Sequence, residues 1–221
     1  MNKLFMNLSF KLNESNSMMN MNKLNDKLMM MMIMLLMMVT MMIMMKNKLL
    51  NKSTFENQKM ETMWTTFPSL IIILMTYLSI PILYMNNELK MNVMSMKVSG
   101  NQWFWNYNYM NFKYSFNSYM MLKKKFNFNL IETDNSVILP LNNEVLFILS
   151  ASDVIHSWTM PSMNFKCDVI PGQINTVSIK SNKIGISFGQ CSEVCGINHS
   201  FMPIKVETVT MKEFVNWIKK F

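Results

Sequence analysis

The sequence predicts an α+β membrane protein, in which a hairpin of two transmembrane helices precedes an antiparallel β-sandwich or barrel that closes with a helix. Two long apolar segments within residues 28–85 predict the hairpin. Short runs of alternating apolar and polar residues, separated by turn residues, predict a β-domain over residues 86–221. An amphipathic pattern over residues 211–220 predicts the closing helix.

The composition favours a membrane protein and argues against a nucleic-acid binder. The chain has 221 residues, 50% of them hydrophobic, and a net charge of +8. It contains no arginine, so lysine alone carries the positive charge. Because proteins that read nucleic acids rely on arginine for bidentate contacts, we expect no nucleic-acid partner. The bias towards Met, Asn and Lys is typical of an A+T-rich gene, as in some invertebrate mitochondria.

The two apolar segments follow a polar N-terminal arm. Residues 1–27 are rich in asparagine and lysine, but they lack the arginine and the cleavage site of an organelle presequence. The predicted spans are residues 28–45 and 64–85, close to the roughly 20 residues that cross about 30 Å of hydrocarbon. Two buried core helices are the alternative, although a chain of this size would rarely use two helices that are apolar all round.

The loop between the spans carries four lysines and two glutamates over residues 46–63. The positive-inside rule places it on the negative side of the membrane, with both termini on the positive side. Glu61 lies just before the second span. A carboxylate there stabilises the helix dipole, and an ionisable group at a membrane boundary is also a functional candidate. Both interpretations of Glu61 stay open.

The strands predicted in the β-domain include residues 94–99, 102–109, 137–139, 145–149, 176–180, 184–189 and 204–210. Several short strands at this spacing are typical of a sandwich or barrel. The second strand is unusually aromatic. Alternation places four of its rings on one face (Trp103, Trp105, Tyr107 and Tyr109) and Phe104 on the other.

Soft metal donors are concentrated in one loop. Cys191, Cys195, His199 and Met202 lie within twelve residues, and His156 stands 35 residues upstream of Cys191 on a predicted strand. A structural zinc site would normally pair its ligands in two short hairpins. A distant histidine with a Cys, His and Met loop is instead the arrangement of copper electron-transfer sites. A disulfide and a zinc site remain alternatives.

Together with the hairpin, this loop resembles subunit II of the cytochrome c oxidase family. The resemblance runs from about residue 58 to the C-terminus, through residues 61–64, 100–105, 153–161, 168–172 and 189–203. It implies a cupredoxin-like β-domain that holds a binuclear copper centre, CuA. Two thiolates would bridge the coppers, and two imidazoles, a thioether and a backbone carbonyl would complete the ligand set (Cys191, Cys195, His156, His199, Met202 and the carbonyl of Glu193).

The resemblance also implies roles outside the copper ligands. Trp103 would receive electrons from cytochrome c, and CuA would pass them to haem in subunit I, where oxygen is reduced to water. The Glu193 side chain would reach a magnesium ion shared with subunit I, unless it is a solvated loop carboxylate. Glu61 would lie at the mouth of a proton-uptake path into subunit I. The other oxidase subunits and membrane lipid would be further partners.

The implied location is the mitochondrial inner membrane, with both termini and the copper domain in the intermembrane space. Two other functions remain as alternatives. One is a quinol oxidase subunit II without copper, against which the intact set of cysteine, histidine and methionine donors argues. The other is a membrane-anchored zinc-binding assembly module.

The expected cytochrome c surface departs from the family pattern. The family usually places carboxylates after the tryptophans, to steer a basic partner. Here those positions are neutral or basic (Asn106, Asn108, Asn111, Lys113 and Asn117), Lys123–Lys125 add positive charge, and Gln173 replaces a common arginine. Glu132, Asp134 and Asp153 remain. We expect weaker steering, or a cytochrome c with compensating charges. Cys167 is interpreted as a half-buried residue without a role.

Overall fold

Two long helices lead into the β-domain. The computed structural model describes residues 14–46, 57–88, 90–122 and 128–220. Helix α1 covers Asn16–Lys46 and α2 covers Gln58–Asn87. Both are long and apolar enough to cross a membrane, with mean hydropathies of 2.5 and 1.9 over their most apolar windows. Pro68 and Pro81 lie inside α2, and Lys123–Lys125 lie outside the described residues.

Helix α1 begins inside the predicted N-terminal arm, twelve residues before the predicted span at residue 28. Ser15 caps it, because its Oγ accepts a hydrogen bond from the Met18 amide at 3.1 Å. No proline or glycine interrupts residues 16–46, so nothing in the backbone chemistry stops the helix at the membrane boundary. Apolarity predicts where a helix can cross lipid, whereas capping determines where it starts.

The residues before α1 pack against the β-domain. The Glu14 Oε2 atom accepts hydrogen bonds from the Ser162 hydroxyl at 2.5 Å and from the Ser187 hydroxyl. The Asn182 amide donates to the Glu14 carbonyl at 2.7 Å. Ser15, which is 4% exposed, donates through Oγ to the Met163 carbonyl at 2.6 Å. This part of the predicted arm is therefore a structural part of the β-domain.

The β-domain contains two five-stranded sheets. Its strands are β1 (Met94–Asn101), β2 (Phe104–Tyr109), β3 (Tyr114–Ser118), β4 (Val137–Pro140), β5 (Glu144–Ala151), β6 (His156–Met160), β7 (Phe165–Val169), β8 (Asn175–Lys180), β9 (Gly185–Cys191) and β10 (Pro203–Val209). One sheet has the order β3-β2-β1-β5-β8 and the other β4-β10-β9-β6-β7. Helix α3 (Met211–Ile218) follows, with a capping box between Thr210 and Glu213.

The sandwich is mixed, and in this respect the predicted antiparallel arrangement is wrong. Strand β1 pairs with β5 in parallel, and β10 pairs with β4 in parallel. Each parallel pair joins strands that are distant in sequence, so no local pattern signals its direction. The sequence patterns also missed β3 and β7, and β2 begins at Phe104, which leaves Trp103 in the turn after β1.

The aromatic strand supplies much of the core. Trp105, Tyr107 and Tyr109 are at most 1% exposed, as their predicted shared face requires. The Tyr109 hydroxyl donates to the Ile138 carbonyl and accepts from the Ile138 amide, both at 2.8 Å. The Trp158 indole donates to the Tyr107 hydroxyl. Burial raises the pKa of both tyrosines far above the usual value, so these hydroxyls stay protonated and fix the two sheets against each other.

Candidate metal centre

Two neighbouring strands bring the distant histidine to the cysteine loop. His156 is the first residue of β6, and Cys191 is the last residue of β9. These strands pair directly, with Trp158 opposite Cys191. Cys195 and His199 follow in the loop between β9 and β10, and Met202 immediately precedes β10. The donors that the sequence singled out therefore lie together at one end of these two strands.

The donor atoms converge in two linked pairs. Cys191 Sγ lies 4.0 Å from His156 Nδ1, and Cys195 Sγ lies 3.5 Å from His199 Nδ1. The donor atoms of His156, Cys191 and Cys195 all lie within 4.8 Å of one another. Met202 Sδ is 3.5 Å from Cys195 Sγ. All five predicted side chains thus share one site.

Glu193 contributes differently through its backbone and its side chain. Its carbonyl oxygen lies 3.4 Å from Cys191 Sγ, beside the donor cluster. Its side chain is exposed and points to no partner among the described residues. The carbonyl is therefore placed to act as a weak ligand, and the carboxylate remains available to another subunit or to solvent.

The imidazole of His156 has a defined orientation. It is completely buried, and its Nε2 lies 2.9 Å from Asp153 Oδ1. Because a carboxylate only accepts hydrogen bonds, Nε2 carries the proton and Nδ1 keeps its lone pair for the site. Carboxylates that orient metal-bound histidines in this way are common in metalloproteins. The sequence alone gives Asp153 no such orienting role.

The two thiols and the His156 imidazole shift one another's pKa values. Burial raises the pKa of Cys191, but hydrogen bonds with His156 and the backbone outweigh it and lower the pKa overall. Burial lowers the pKa of His156, and its hydrogen bonds with Cys191 and Asp153 raise it above the usual value. Burial and the neighbouring Cys191 raise the pKa of Cys195 to about 12. Ionising both thiols at neutral pH therefore requires added positive charge.

A copper pair fits this donor set. Thiolate, thioether and imidazole are the ligands that copper prefers, and two nearby thiols that resist joint ionisation become stable thiolates when cations bind them. The cysteines and Met202 are buried and His199 is half-buried, so the loop excludes most water while leaving one side near the surface. Asp153 supplies the outer hydrogen bond.

The predicted electron-receiving tryptophan packs directly beside the copper loop. A Cβ placed on Gly196 would lie 3.1 Å from Trp103 Cζ2. The neighbouring Gln102 donates through Nε2 to the Cys195 carbonyl at 2.8 Å. Trp103 also lines an open groove of about 500 Å³, together with Gln102, Phe104, Tyr119, Asn198 and Phe201. The sequence did not single out Gln102, because a glutamine carries no chemical signal of its own.

Two parts of the chain match one known family. Residues 94–209 match the family described as "Cytochrome C oxidase subunit II, periplasmic domain", and residues 3–82 match the one described as "Cytochrome C oxidase subunit II, transmembrane domain". The chain belongs to the cytochrome c oxidase subunit II family. Membership confirms the predicted fold class, electron transfer within an oxidoreductase complex, and copper as a cofactor.

Several relatives of this subunit II chain are insect proteins. Cytochrome c oxidase subunit 2 of Oncopeltus fasciatus is 45% identical over 178 residues, which cover 79% of this chain and 78% of that protein. The protein of the same name from Aedes aegypti is 42% identical over 176 residues, 78% of this chain and 77% of that protein. Together with the match to the transmembrane domain, these relatives support an inner-membrane protein.

Solved structures match the β-domain. The periplasmic domain of subunit II of cytochrome oxidase from Bradyrhizobium japonicum is 36% identical, with a TM-score of 0.57, and the match covers 60% of this chain and 96% of that one. A mixed disulfide between a thioredoxin-like protein and subunit II contains a domain that is 34% identical, with a TM-score of 0.55, over 61% of this chain and 94% of that one. The individual ligand roles, the binuclear state and magnesium stay predictions.

Proposed function

We propose that this subunit II chain takes electrons from reduced cytochrome c at a binuclear copper centre, CuA, and passes them to haem in subunit I. The observation that carries the proposal is the duplicated donor pair. Each cysteine sulfur has its own histidine nitrogen within 4.0 Å, and the two sulfurs lie within 4.8 Å. A single tetrahedral zinc ion also uses two cysteines and two histidines, so the additional donor that favours copper is the Met202 thioether, 3.5 Å from Cys195 Sγ.

The residues around the site would divide the work. Cys191 and Cys195 would bridge, His156 and His199 would each hold one metal, and Met202 and the Glu193 carbonyl would be the weak ligands. A copper pair shared between thiolates supplies one-electron transfer with little change in geometry. Asp153 would keep the His156 ring fixed, and the buried walls would exclude water, so little reorganisation accompanies each electron.

Trp103 is proposed as the point where electrons enter. Its indole contacts the copper loop at Gly196 and also lines the open groove, so it connects the partner-facing surface with the donor cluster. Val194 and Ile197 on the same loop are 79% and 92% exposed. Exposed apolar residues at this density are typical of an interface, which agrees with docking of a partner around Trp103.

Two further roles rest on the family resemblance. We propose that the exposed Glu193 carboxylate reaches a magnesium ion shared with subunit I. Glu61 lies in the first turn of α2, where a carboxylate is favourable with the helix dipole. The same position suits a proton-uptake group at the edge of the membrane, and we retain this role for Glu61 as a proposal.

The proposed location is the mitochondrial inner membrane, with both termini and the copper domain in the intermembrane space. Contacts of Glu14 and Ser15 with the β-domain support this topology. Residues before α1 that contact the β-domain would lie on the same side of the membrane as the residues after α2, as two crossings require. The other oxidase subunits and lipid would enclose the apolar helices.

Metal analysis of the purified full-length chain, reconstituted with copper, tests the proposal. We expect two copper ions per chain, intense thiolate-to-copper absorption bands and a mixed-valence spin signal spread over both ions. A colourless protein with one zinc ion would instead support the zinc-binding assembly module. A folded protein that binds no metal would support the quinol oxidase alternative, which family membership and the intact donors do not favour.

We expect the association of cytochrome c to depend weakly on salt. Three acids remain at the expected cytochrome c surface, and each has a partner within the β-domain. Glu132 pairs with Lys205 at 3.4 Å, Asp134 accepts from two backbone amides, and Asp153 binds the Gln102 amide and His156. Steered association approaches about 10⁸–10⁹ M⁻¹s⁻¹ and falls steeply with salt, whereas unsteered docking proceeds at about 10⁵–10⁶ M⁻¹s⁻¹. Stopped-flow rates with a basic cytochrome c should lie near the lower range and change little with salt.

Asn117→Asp is the matched variant for the salt experiment. The Asn117 Oδ1 atom accepts from Asn106 Nδ2 at 2.7 Å, and an aspartate keeps this acceptor while it adds a negative charge. The variant should bind faster at low ionic strength and show a steeper salt dependence. A wild-type rate that already falls as steeply with salt as in relatives with acidic surfaces would contradict weak steering.

A further inference from the structure

Gly100 forms one wall of the space that holds the imidazole of His156. Gly100 lies in β1, in one sheet, and His156 begins β6, in the other. A Cβ built on Gly100 would stand 2.7 Å from His156 Cδ2, 3.0 Å from Cγ and 3.2 Å from Cβ. Carbon atoms prefer separations of about 3.5–4.0 Å, so only a residue without a side chain fits here.

The imidazole has no room to move away from Gly100. His156 is 0% exposed, its Nε2 is bound to Asp153 Oδ1 at 2.9 Å, and the Trp105 ring meets it edge-on at a centroid distance of 5.9 Å. Nδ1 then points towards Cys191 Sγ, at 4.0 Å. Displacement of the ring would break the hydrogen bond, push against Trp105 or change the direction of Nδ1.

The backbone at Gly100 is also held in place. Gly100 pairs with Trp105 of β2 and with Ala151 of β5, and its carbonyl accepts from the Ser152 amide at 3.1 Å. Its φ lies outside the left-handed range, unlike those of Gly172, Gly185 and Gly196. The position therefore requires glycine for space rather than for backbone conformation.

Gly100 also belongs to the segment that fixes the other side of the site. Two residues later, the Gln102 amide donates to Asp153 Oδ2 at 2.6 Å, and the Gln102 side chain donates to the Cys195 carbonyl at 2.8 Å. The same short segment thus touches the His156 ring through Gly100, its carboxylate partner through the Gln102 backbone, and the cysteine loop through the Gln102 side chain.

We propose that Gly100 is a positioning residue for the metal centre, and that the end of β1 and the turn after it fix the His156 ring before any metal binds. The close approach of Gly100 to the ring leaves one orientation, with Nδ1 towards Cys191. The inference rests on the proposed copper function, because it assigns to His156 the role of a ligand. It concerns a residue that contacts no metal and carries no donor atom.

Gly100→Ala in the full chain, reconstituted with copper, tests the proposal, with Gly185→Ala as the matched control. Gly185 is exposed, has a φ of +153° and would meet no atom within 4 Å through a new Cβ, so alanine strains only its backbone. Gly100→Ala should bind copper about 10–100-fold more weakly, the range typical of residues that support ligands. Its spin signal should become unequal between the two coppers, and its reduction potential should shift. Gly185→Ala should lower the unfolding temperature with an unchanged spectrum.

A measurement on the unsubstituted, metal-free chain is independent of whether Gly100→Ala folds. The ¹⁵N and ¹H resonances of the His156 ring should report a single rotamer with Nε2 protonated, the same as in the copper-loaded chain. A ring that exchanges between rotamers without metal would overturn the proposal, and so would a Gly100→Ala protein with the unaltered two-copper spectrum. If the unsubstituted chain shows no two-copper spectrum, the proposed copper function is wrong. The resonances of the His156 ring in the metal-free chain still test whether Gly100 fixes the ring.

Discussion

Replacing Cys195 with serine is expected to abolish the mixed-valence copper signal and to reduce the rate of electron transfer to haem by more than about 100-fold. This loss exceeds the roughly 10–100-fold that is typical when a residue hydrogen-bonded to a metal ligand is replaced. Cys195 Sγ lies 3.5 Å from both His199 Nδ1 and Met202 Sδ. A serine hydroxyl is a harder donor that stays protonated, so it cannot bridge two coppers. Copper content, absorption spectrum and the rate of haem reduction would be measured together.

Cys167→Ser is the matched control, because it makes the same substitution at the remaining cysteine. Cys167 is half-buried on β7, and its thiol lies 3.6 Å from the Asp168 carbonyl. Burial and, to a smaller extent, the charge of Asp168 raise the pKa of the Cys167 thiol, so this thiol is mostly protonated at neutral pH. The control should keep two coppers and its electron-transfer rate. Retention of the mixed-valence signal in Cys195→Ser would refute the bridging role.

Replacing Trp103 with alanine is expected to slow copper reduction by bound cytochrome c about 100-fold, since even a 1 Å error in the alignment of reacting groups can cost that much. The indole lies between the open groove and Gly196, so its removal leaves a gap between the groove and the loop that carries Cys195. Flash-induced reduction within a preformed complex would separate this step from docking. The spectrum of the copper centre should stay unchanged.

Tyr119→Ala separates electron transfer from binding. Tyr119 lines the same groove and is 44% exposed, and its ring stacks on Phe104 at 4.8 Å. We expect this variant to weaken cytochrome c binding by less than about tenfold, as for most residues at the edge of an interface, while the rate within the complex is preserved. Equal slowing of that rate by both variants would show that Trp103 has no special part in electron transfer.

Residue chemistry made the metal centre predictable. Cysteine, histidine and methionine are rarely gathered by chance, so the motif at residues 191–202 and the distant His156 indicated a soft-metal site before any geometry was known. The structure brings all five side chains together. Strand alternation likewise predicted the buried face of Trp105, Tyr107 and Tyr109, because a period of two is a local property.

Residues that act through tertiary packing left no such signal. Gly100 looks like any glycine near the end of a strand until the opposite sheet places His156 against it, and Asp153 looks like a surface acid until its two oxygens bind Gln102 and His156. The parallel pairs of β1 with β5 and of β10 with β4 also depend on strands far apart in sequence. Local patterns therefore revealed the ligands, and only the packed sandwich revealed what holds them.

The anchoring of Glu14 has a consequence for the order of folding during synthesis. Its serine partners are made 148 and 173 residues later, so at about 5–20 residues per second the carboxylate waits roughly 7–35 s for them. During that time, both helices must be inserted and the residues of eight strands completed. These hydrogen bonds therefore form late. They bind the segment around Glu14 to a β-domain that is nearly complete, just before the residues of the copper loop are synthesised.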